Sequence, residues 1–144
     1  MSKPFENLSL NEACREQYEL VLAKGFEKEN IPTLMMLVVT ELSEAVEADR
    51  KNRHADLSKF NMEFPLYVQY EKENYFNGLP NAELREAYRE TFERNIKDTF
   101  EDEIADAFLR LMHLCGAYGI DIEKHICMKA EYNKLRPSKH GKAY

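Results

Sequence analysis

Hydrophobic residues recur every three or four positions along most of the chain, a period that predicts amphipathic helices. Ser9 is followed three residues later by Glu12, which is the pattern of a capping box at a helix start. The first helix is therefore expected over residues 10–28, or only as far as Gly25 if that glycine ends it. A second helix is expected from residue 31 to about residue 52, because the proline at its second position suits a first turn.

The second half of the chain fits two arrangements. Thr99 with Asp102 resembles a capping box and predicts a separate helix that ends at Tyr118, but one unbroken helix over residues 82–118 fits the same pattern. Gly119 suits the position after a helix end, and Asp121 can cap a last helix through about Leu135. Together these elements predict an all-α fold, a bundle of four main helices.

The segment over residues 53–80 interrupts the helical pattern. It contains the turn-forming residues Pro65, Asn77, Gly78 and Pro80. Six aromatic residues lie among them: Phe60, Phe64, Tyr67, Tyr70, Tyr75 and Phe76. Their number indicates that the segment packs against other parts of the protein. We therefore predict a single domain over residues 1–144 with an insertion at about residues 53–97.

Size and charge narrow the classes of function. The chain has 144 residues, enough for one domain with a core, and a formal net charge of −6. That charge disfavours a protein that binds duplex nucleic acid, which usually presents a basic face. The longest apolar run, residues 31–40, is too short to span a bilayer, and residues 1–10 have no apolar stretch of signal-peptide length. A cytoplasmic protein without a membrane partner is the expectation.

Cysteine and histidine residues give little support for a metal or redox site of their own. Cys14, Cys115 and Cys127 fit neither a zinc pattern nor a Cys-x-x-Cys pair, so we expect reduced and mostly buried thiols. No histidine lies three residues after a glutamate. Because ferritin-like di-iron bundles use Glu-x-x-His, redox iron chemistry is disfavoured.

Two pairs of carboxylates at i,i+3 spacing are the strongest chemical signal: Glu41 with Glu44, and Glu103 with Asp106. That spacing places both acids of a pair on one helix face, roughly 5–6 Å apart at Cβ. Hydrophobic residues share the arc of each pair: Leu34, Leu37, Val38 and Ala45 around the first, and Phe100, Ala107 and Leu114 around the second. The acids are therefore expected to face the interior.

Four interior acids imply a cation. A buried, unpaired carboxylate is costly, and like charges held close together resist ionising. If the two helices pack side by side, the four carboxylates meet, and oxygen ligands favour a hard divalent ion. We therefore predict a Mg²⁺ site, with Mn²⁺ as an alternative, whose ligands are Glu41, Glu44, Glu103 and Asp106.

The last helix carries a second candidate surface. Lys129, Asn133 and Arg136 lie at i, i+4 and i+7 and therefore share one face. A lysine and an arginine beside an amide can hold phosphate oxygens and a sugar or base edge. The alternative is a solvated face near a helix C-terminus, where cations are favoured in any case.

Taken in order, the two acid pairs and the last-helix face resemble the MazG-like all-α nucleoside triphosphate pyrophosphohydrolases. The most similar stretches are DEIADA at residues 102–107, GIDI at 119–122 and NKLRPSKHGK at 133–142. The resemblance covers about residues 31–52 and 98–142. The chain departs from the family pattern at Thr40, where many members carry an additional glutamate. It departs also in the 58 residues between Glu44 and Glu103, a longer spacer than the family's usual one.

The resemblance implies Mg²⁺-dependent hydrolysis of a nucleoside triphosphate, or its deoxy form, to the monophosphate and pyrophosphate. Under that reading Glu41 and Glu44 are the candidate catalytic bases as well as metal ligands. The implied substrate-binding residues are Lys129, Asn133, Arg136 and Arg110. The family also implies a homodimer or homotetramer with the nucleotide near subunit contacts.

Two other functions fit the residues. The chain could be a non-catalytic helical subunit or regulator that binds metal or nucleotide, which release of pyrophosphate would exclude. It could also be a helical scaffold whose acids are structural. A scaffold predicts that Glu41→Gln combined with Glu103→Gln leaves metal affinity unchanged.

Overall fold

The computed structural model describes residues 9–64 and 82–136, and within these ranges the protein is all-helical. The six helices are α1 (Leu10–Ala23), α2 (Ile31–Arg50), α3 (Leu57–Glu63), α4 (Ala82–Asn95), α5 (Phe100–Tyr118) and α6 (Ile122–Leu135). The predicted all-α class is therefore confirmed. None of the helices in the described ranges is both long enough and apolar enough to cross a membrane.

The first helix begins where its capping box predicts and ends earlier than residue 28. The Ser9 side chain accepts a hydrogen bond from the Glu12 backbone, and the Glu12 carboxylate accepts one from the Ser9 backbone at 2.7 Å. The expected end at residue 28 is wrong, because the backbone of Gly25 turns to a φ of 88°. That left-handed conformation favours glycine and stops the helix after Ala23.

The helix is interrupted between α4 and α5, so of the two arrangements that the sequence left open, the one with separate helices is found. Asp98 adopts a φ of 58°, and the Thr99 hydroxyl then accepts a hydrogen bond from the Asp102 backbone at 3.4 Å. A capping box would require the Asp102 carboxylate to accept from the Thr99 backbone. It accepts instead from the Asp98 backbone at 3.0 Å. Gly119, at a φ of 60°, ends α5 as expected.

Helix α5 packs against both α1 and α2, and the core lies where the three helices meet. The buried core residues there are Cys14, Leu34, Leu114 and Cys115. Gly116 lets α1 approach closely, because a Cβ built on it would lie 2.1 Å from the carbonyl oxygen of Cys14. The α2–α5 contact is the one that positions the acids.

Part of the expected insertion is helical and well packed. The irregular structure predicted over residues 53–80 is wrong for Leu57–Glu63, since the Asp56 side chain caps this short helix at the Lys59 backbone, 2.8 Å away. Phe60 and Phe64 each meet the Tyr88 ring of α4 edge-on, with ring centroids 5.6 Å and 5.8 Å apart. The predicted packing of the aromatic residues is confirmed for these two. Tyr67, Tyr70, Tyr75 and Phe76 lie outside the described residues.

Among the described residues, helix α6 contacts the other helices mainly at its start. Asn11 of α1 donates to the Asp121 carboxylate at 2.7 Å, and the Leu10 backbone donates to Glu123 at 2.9 Å. Beyond this first turn α6 has no buried residue. Cys127 is consequently exposed, so the expectation of mostly buried thiols is right for Cys14 and Cys115 and wrong for Cys127.

Candidate metal centre and adjoining cleft

The α2–α5 contact places an acid from each helix in the interior. On α2, Glu41 follows Leu34 and Val38 along the buried face and is 8% exposed. On α5, Glu103 precedes Ala107 on the buried face and is 6% exposed. The amphipathic pattern that buries the hydrophobic residues therefore buries these two carboxylates with them.

Three of the four predicted ligands converge. Carboxylate oxygens of Glu41, Glu44 and Glu103 all lie within 4.8 Å of one another. We call these three residues the acid cluster. Glu44 is exposed and lies at the rim, whereas the other two form the inner wall. The cluster is thus open to solvent on one side, which gives an ion or a ligand a way in.

Asp106 lies one turn after Glu103 on α5. Its carboxylate is not one of those that lie within 4.8 Å of one another. It is exposed, yet its pKa is raised, first by partial burial of the carboxyl group and then by the charges of Asp102 and Glu41. Asp106 therefore shares the negative field of the acid cluster, and its role as a metal ligand stays a prediction.

The proximity of the acids changes the protonation of Glu103. Burial raises its pKa from 4.5 to about 7, and the negative charges of Glu44, Asp102, Asp106 and Glu41 act in the same direction. Without a counter-ion, therefore, about half of the Glu103 carboxyl groups carry a proton near neutral pH.

Arg110 supplies the positive charge that the acid cluster contacts directly. Its Nε donates to Oε1 of Glu41 at 3.0 Å. The Arg110 side chain is 47% exposed, whereas that of Glu41 is 10% exposed. In residues 9–64 and 82–136, no other lysine or arginine forms an ion pair with Glu41, Glu44, Glu103 or Asp106. One cation facing several acids leaves the site strongly negative.

A cleft of about 510 Å³ adjoins the acid cluster, since it is lined by Arg110, which bonds to Glu41, and by Asp106, one turn after Glu103. Its walls come from α1, from the connection between α1 and α2, and from α2 and α5. Leu34 and Leu37 of α2 give it an apolar side. Phe26, 64% exposed, presents an aromatic ring from the connection. The shape suits a flat organic group whose charged end reaches the acids.

Two uncharged polar side chains, Gln17 and His113, also line the cleft, and the connection adds the charged residues Lys24, Glu27 and Glu29. Sequence reasoning assigned no role to these residues or to Phe26. The available signal was the spacing of Asp106, Arg110 and His113 at i, i+4 and i+7, which places the histidine on the face of α5 that carries the other two.

The three candidate residues of α6 are placed differently. Lys129, Asn133 and Arg136 are all exposed, and within the described part of the chain none of them bonds to an acid of the predicted metal site. The Lys129 ammonium lies 4.8 Å from the centre of the Tyr132 ring. Their predicted role in substrate binding is therefore neither supported nor excluded by their contacts.

Comparisons with known proteins add no relative, since no protein-family model, curated protein or solved structure matches this chain.

Proposed function

We propose that the protein hydrolyses a nucleoside triphosphate, or its deoxy form, to the monophosphate and pyrophosphate with the help of Mg²⁺ or Mn²⁺. The observation that carries the proposal is the acid cluster, whose three carboxylates lie within 4.8 Å of one another beside a cleft that Asp106 and Arg110 line. The proposal agrees with the resemblance to MazG-like pyrophosphohydrolases.

The residues present fit a divalent cation. All donors are carboxylate oxygens, the ligand type that Mg²⁺ and Mn²⁺ prefer. The raised pKa of Glu103 arises from burial and from uncompensated negative charge, and a cation among the acids would offset the second cause. Glu41, Glu44 and Glu103 would hold the ion, with Asp106 as a further ligand from the next turn of α5.

A divalent ion bound there would neutralise charge on the phosphate oxygens and lower the pKa of an attacking water. Glu44 is the better general base of the two candidates, because Glu41 is engaged by Arg110 and Glu44 has no such partner within the described residues. Glu44 would take the proton of the water as its oxygen bonds to the α-phosphorus. The bond from that phosphorus to the bridging oxygen breaks, and pyrophosphate leaves.

The remaining residues have roles in holding the substrate. The cleft would take the nucleoside, with the exposed Phe26 ring available for stacking on a base. Arg110 lies where the cleft meets the acid cluster and could shift from Glu41 to a phosphate oxygen. In this proposal Lys129 and Arg136 also bind phosphate oxygens, and Asn133 contacts the sugar or the base.

The experiment is a panel of canonical and modified triphosphates incubated with Mg²⁺, with release of pyrophosphate as the readout. We expect hydrolysis that stops on chelation and falls at least about 100-fold in Glu44→Gln and in Glu103→Gln. Glu47→Gln is the matched control, since Glu47 lies on the same helix but pairs with Lys51 at 3.0 Å. Inactivity across the whole panel would refute the proposal.

One observation favours the second candidate, a non-catalytic metal- or nucleotide-binding subunit. Thr40 stands where many MazG-like proteins carry an acid, and its hydroxyl donates to the Met36 carbonyl at 3.0 Å instead of entering the cluster. Under this alternative Mg²⁺ or a nucleotide would raise the melting temperature without any release of pyrophosphate.

We also propose assembly as a homodimer or homotetramer. The α2 side chains Met35, Val39, Leu42 and Val46 are 45–60% exposed and follow one another at spacings of 4, 3 and 4 residues. Such a stripe suits packing against a helix of another copy. Light scattering should give two or four times the chain mass of 16.9 kDa, and Leu42→Glu should lower it. A monomeric wild-type protein would contradict this assembly.

A further inference from the structure

The polar end of the cleft has hydrogen-bonding capacity that the protein does not use. Gln17 from α1 and His113 from α5 line it, and within the described residues neither side chain forms a hydrogen bond. Gln17 is partly exposed, so water can satisfy its amide. His113 is only 5% exposed, so its unpaired ring is the unusual feature.

The position of the His113 ring fixes which nitrogen is available. Nδ1 is fully covered and has no partner, whereas Nε2 is not closed off in this way. A proton on Nδ1 would be a buried donor without an acceptor, which costs more than a bare lone pair there. Burial, followed by the nearby positive charge of Arg110, lowers the pKa of His113, which favours the neutral ring. The neutral ring therefore carries its proton on Nε2.

The neighbours of His113 hold the ring in place. The Tyr18 ring meets it edge-on, with centroids 5.4 Å apart, and Arg110 and Asp106 lie one and two turns earlier on the same face of α5. A donor held in this way can select a ligand, because a molecule that lacks the acceptor leaves the N–H unpaired.

We propose that His113 determines specificity by donating a hydrogen bond from Nε2 to an in-plane acceptor atom of the nucleobase. This inference rests on the proposed function for the phosphate chemistry. It adds that the protein recognises the base and not the triphosphate alone. Gln17, with one donor and one acceptor group, would bind the neighbouring position on the same base edge.

The test compares substrates with and without a base. For the preferred nucleoside triphosphate, His113→Phe should lower kcat/KM by roughly 10-fold, mainly through KM, because one hydrogen bond to the base is lost. Hydrolysis of inorganic tripolyphosphate, which has no base, should not change. His113→Gln, which restores an N–H donor, should recover part of the loss. His125→Phe, at an exposed histidine of α6, is the matched control.

The possible results separate this inference from the proposed function. If triphosphates are hydrolysed and His113→Phe leaves the ratio of nucleotide to tripolyphosphate activity unchanged, the inference is wrong and the proposed function stands. If no triphosphate is hydrolysed, the inference is tested by binding instead. Nucleoside monophosphates are added as probes, and ¹⁵N NMR follows the signals of the imidazole groups. A shift of the His113 signal with a monophosphate but not with ribose 5-phosphate supports the inference, and no shift overturns it.

Discussion

Arg110 Nε donates to Glu41 Oε1 at 3.0 Å, a bond that joins α5 to α2 across 69 sequence positions. The guanidinium also lines the cleft, so one side chain connects the candidate metal site to the candidate nucleoside pocket. Its charge both stabilises the acid cluster and competes with any cation that binds there.

Arg110→Gln should therefore have opposite effects on stability and on metal affinity. Without metal, the variant should lose about 1–2 kcal/mol of unfolding free energy, because Glu41 is left without its counter-charge. With Mg²⁺ the loss should shrink, and Mg²⁺ affinity should rise several-fold. Urea titrations in chelator and in Mg²⁺ measure the two unfolding free energies, and their dependence on Mg²⁺ concentration gives the Mg²⁺ affinity. In the control, Arg94→Gln removes a 2.9 Å bond to Glu63 far from the acids and should not respond to Mg²⁺. Equal losses with and without Mg²⁺ in Arg110→Gln would contradict the competition.

The pKa of Glu103, raised from 4.5 to about 7, predicts an unusual dependence of stability on pH. Between these two pKa values Glu103 keeps a proton in the folded protein that it has lost in the unfolded chain, so its contribution to the free energy of unfolding falls as pH rises and levels off above about 7. Glu103→Gln removes this slope. In chelator, the variant should thus become more stable relative to wild type from pH 4.5 to pH 7.

Urea midpoints at several pH values test the prediction for Glu103. Mg²⁺ at pH 8 should reverse the order, stabilising the wild type and leaving Glu103→Gln unchanged. Parallel pH profiles for the two proteins would show that the pKa of Glu103 is not raised in the folded state.

The helical elements were predictable because local signals agreed with packing. Ser9, Thr99 and Asp121 cap helix starts with their side chains and Gly119 ends a helix with its positive φ, as predicted, although Asp102 does not complete a capping box with Thr99. The sequence allowed α1 to end at residue 28 or near Gly25, and the backbone turn at Gly25 shows that the earlier end is right. The short helix Leu57–Glu63 was missed, since seven residues are too few for a clear period and its stability comes from contacts with α4.

The site was predictable to the extent that it depends on helix faces. The spacing of Glu41 and Glu103 relative to hydrophobic residues predicted that they would face inward, and they do. Spacing could not show that Glu44 stays exposed or that Asp106 lies outside the closest set, because that depends on how α2 and α5 cross. The cleft was not predictable either, since α5 closes it from a distant part of the sequence against α1, α2 and the connection between them.

Gly116 should tolerate no larger residue. Alanine normally stabilises a helix by about 1 kcal/mol relative to glycine. At this position its Cβ would lie 2.1 Å from the Cys14 carbonyl oxygen, a backbone atom that cannot move alone. We expect Gly116→Ala to lose about 3 kcal/mol or more of unfolding free energy in urea titrations. Gly119→Ala meets no atom within 4 Å and should lose only about 1 kcal/mol from its positive φ. A fully stable Gly116→Ala would rule out the close contact of α1 with α5.

The three cysteines should react with thiol reagents at very different rates. Cys127 is exposed, whereas Cys14 and Cys115 are 3% and 8% exposed, and burial raises the pKa of the Cys14 thiol to about 11. Native protein should therefore show one fast-reacting thiol, and protein in urea should show three. Cys127→Ser should remove the fast phase. Rapid reaction of two or three thiols in the native protein would show that the α1–α5 core opens readily.

His113→Phe should stabilise the protein while it weakens recognition of the base. Phenylalanine keeps an aromatic ring against Tyr18 and removes the covered Nδ1 that has no partner within the described residues. Replacing such an atom by an apolar one should raise the free energy of unfolding by about 1 kcal/mol, seen as a higher melting temperature. His113→Gln, which keeps polar atoms at the site, should show no such gain. A less stable His113→Phe would mean that the imidazole serves the fold, whereas a gain in stability with a loss of selectivity is the pattern of a residue kept for its ligand.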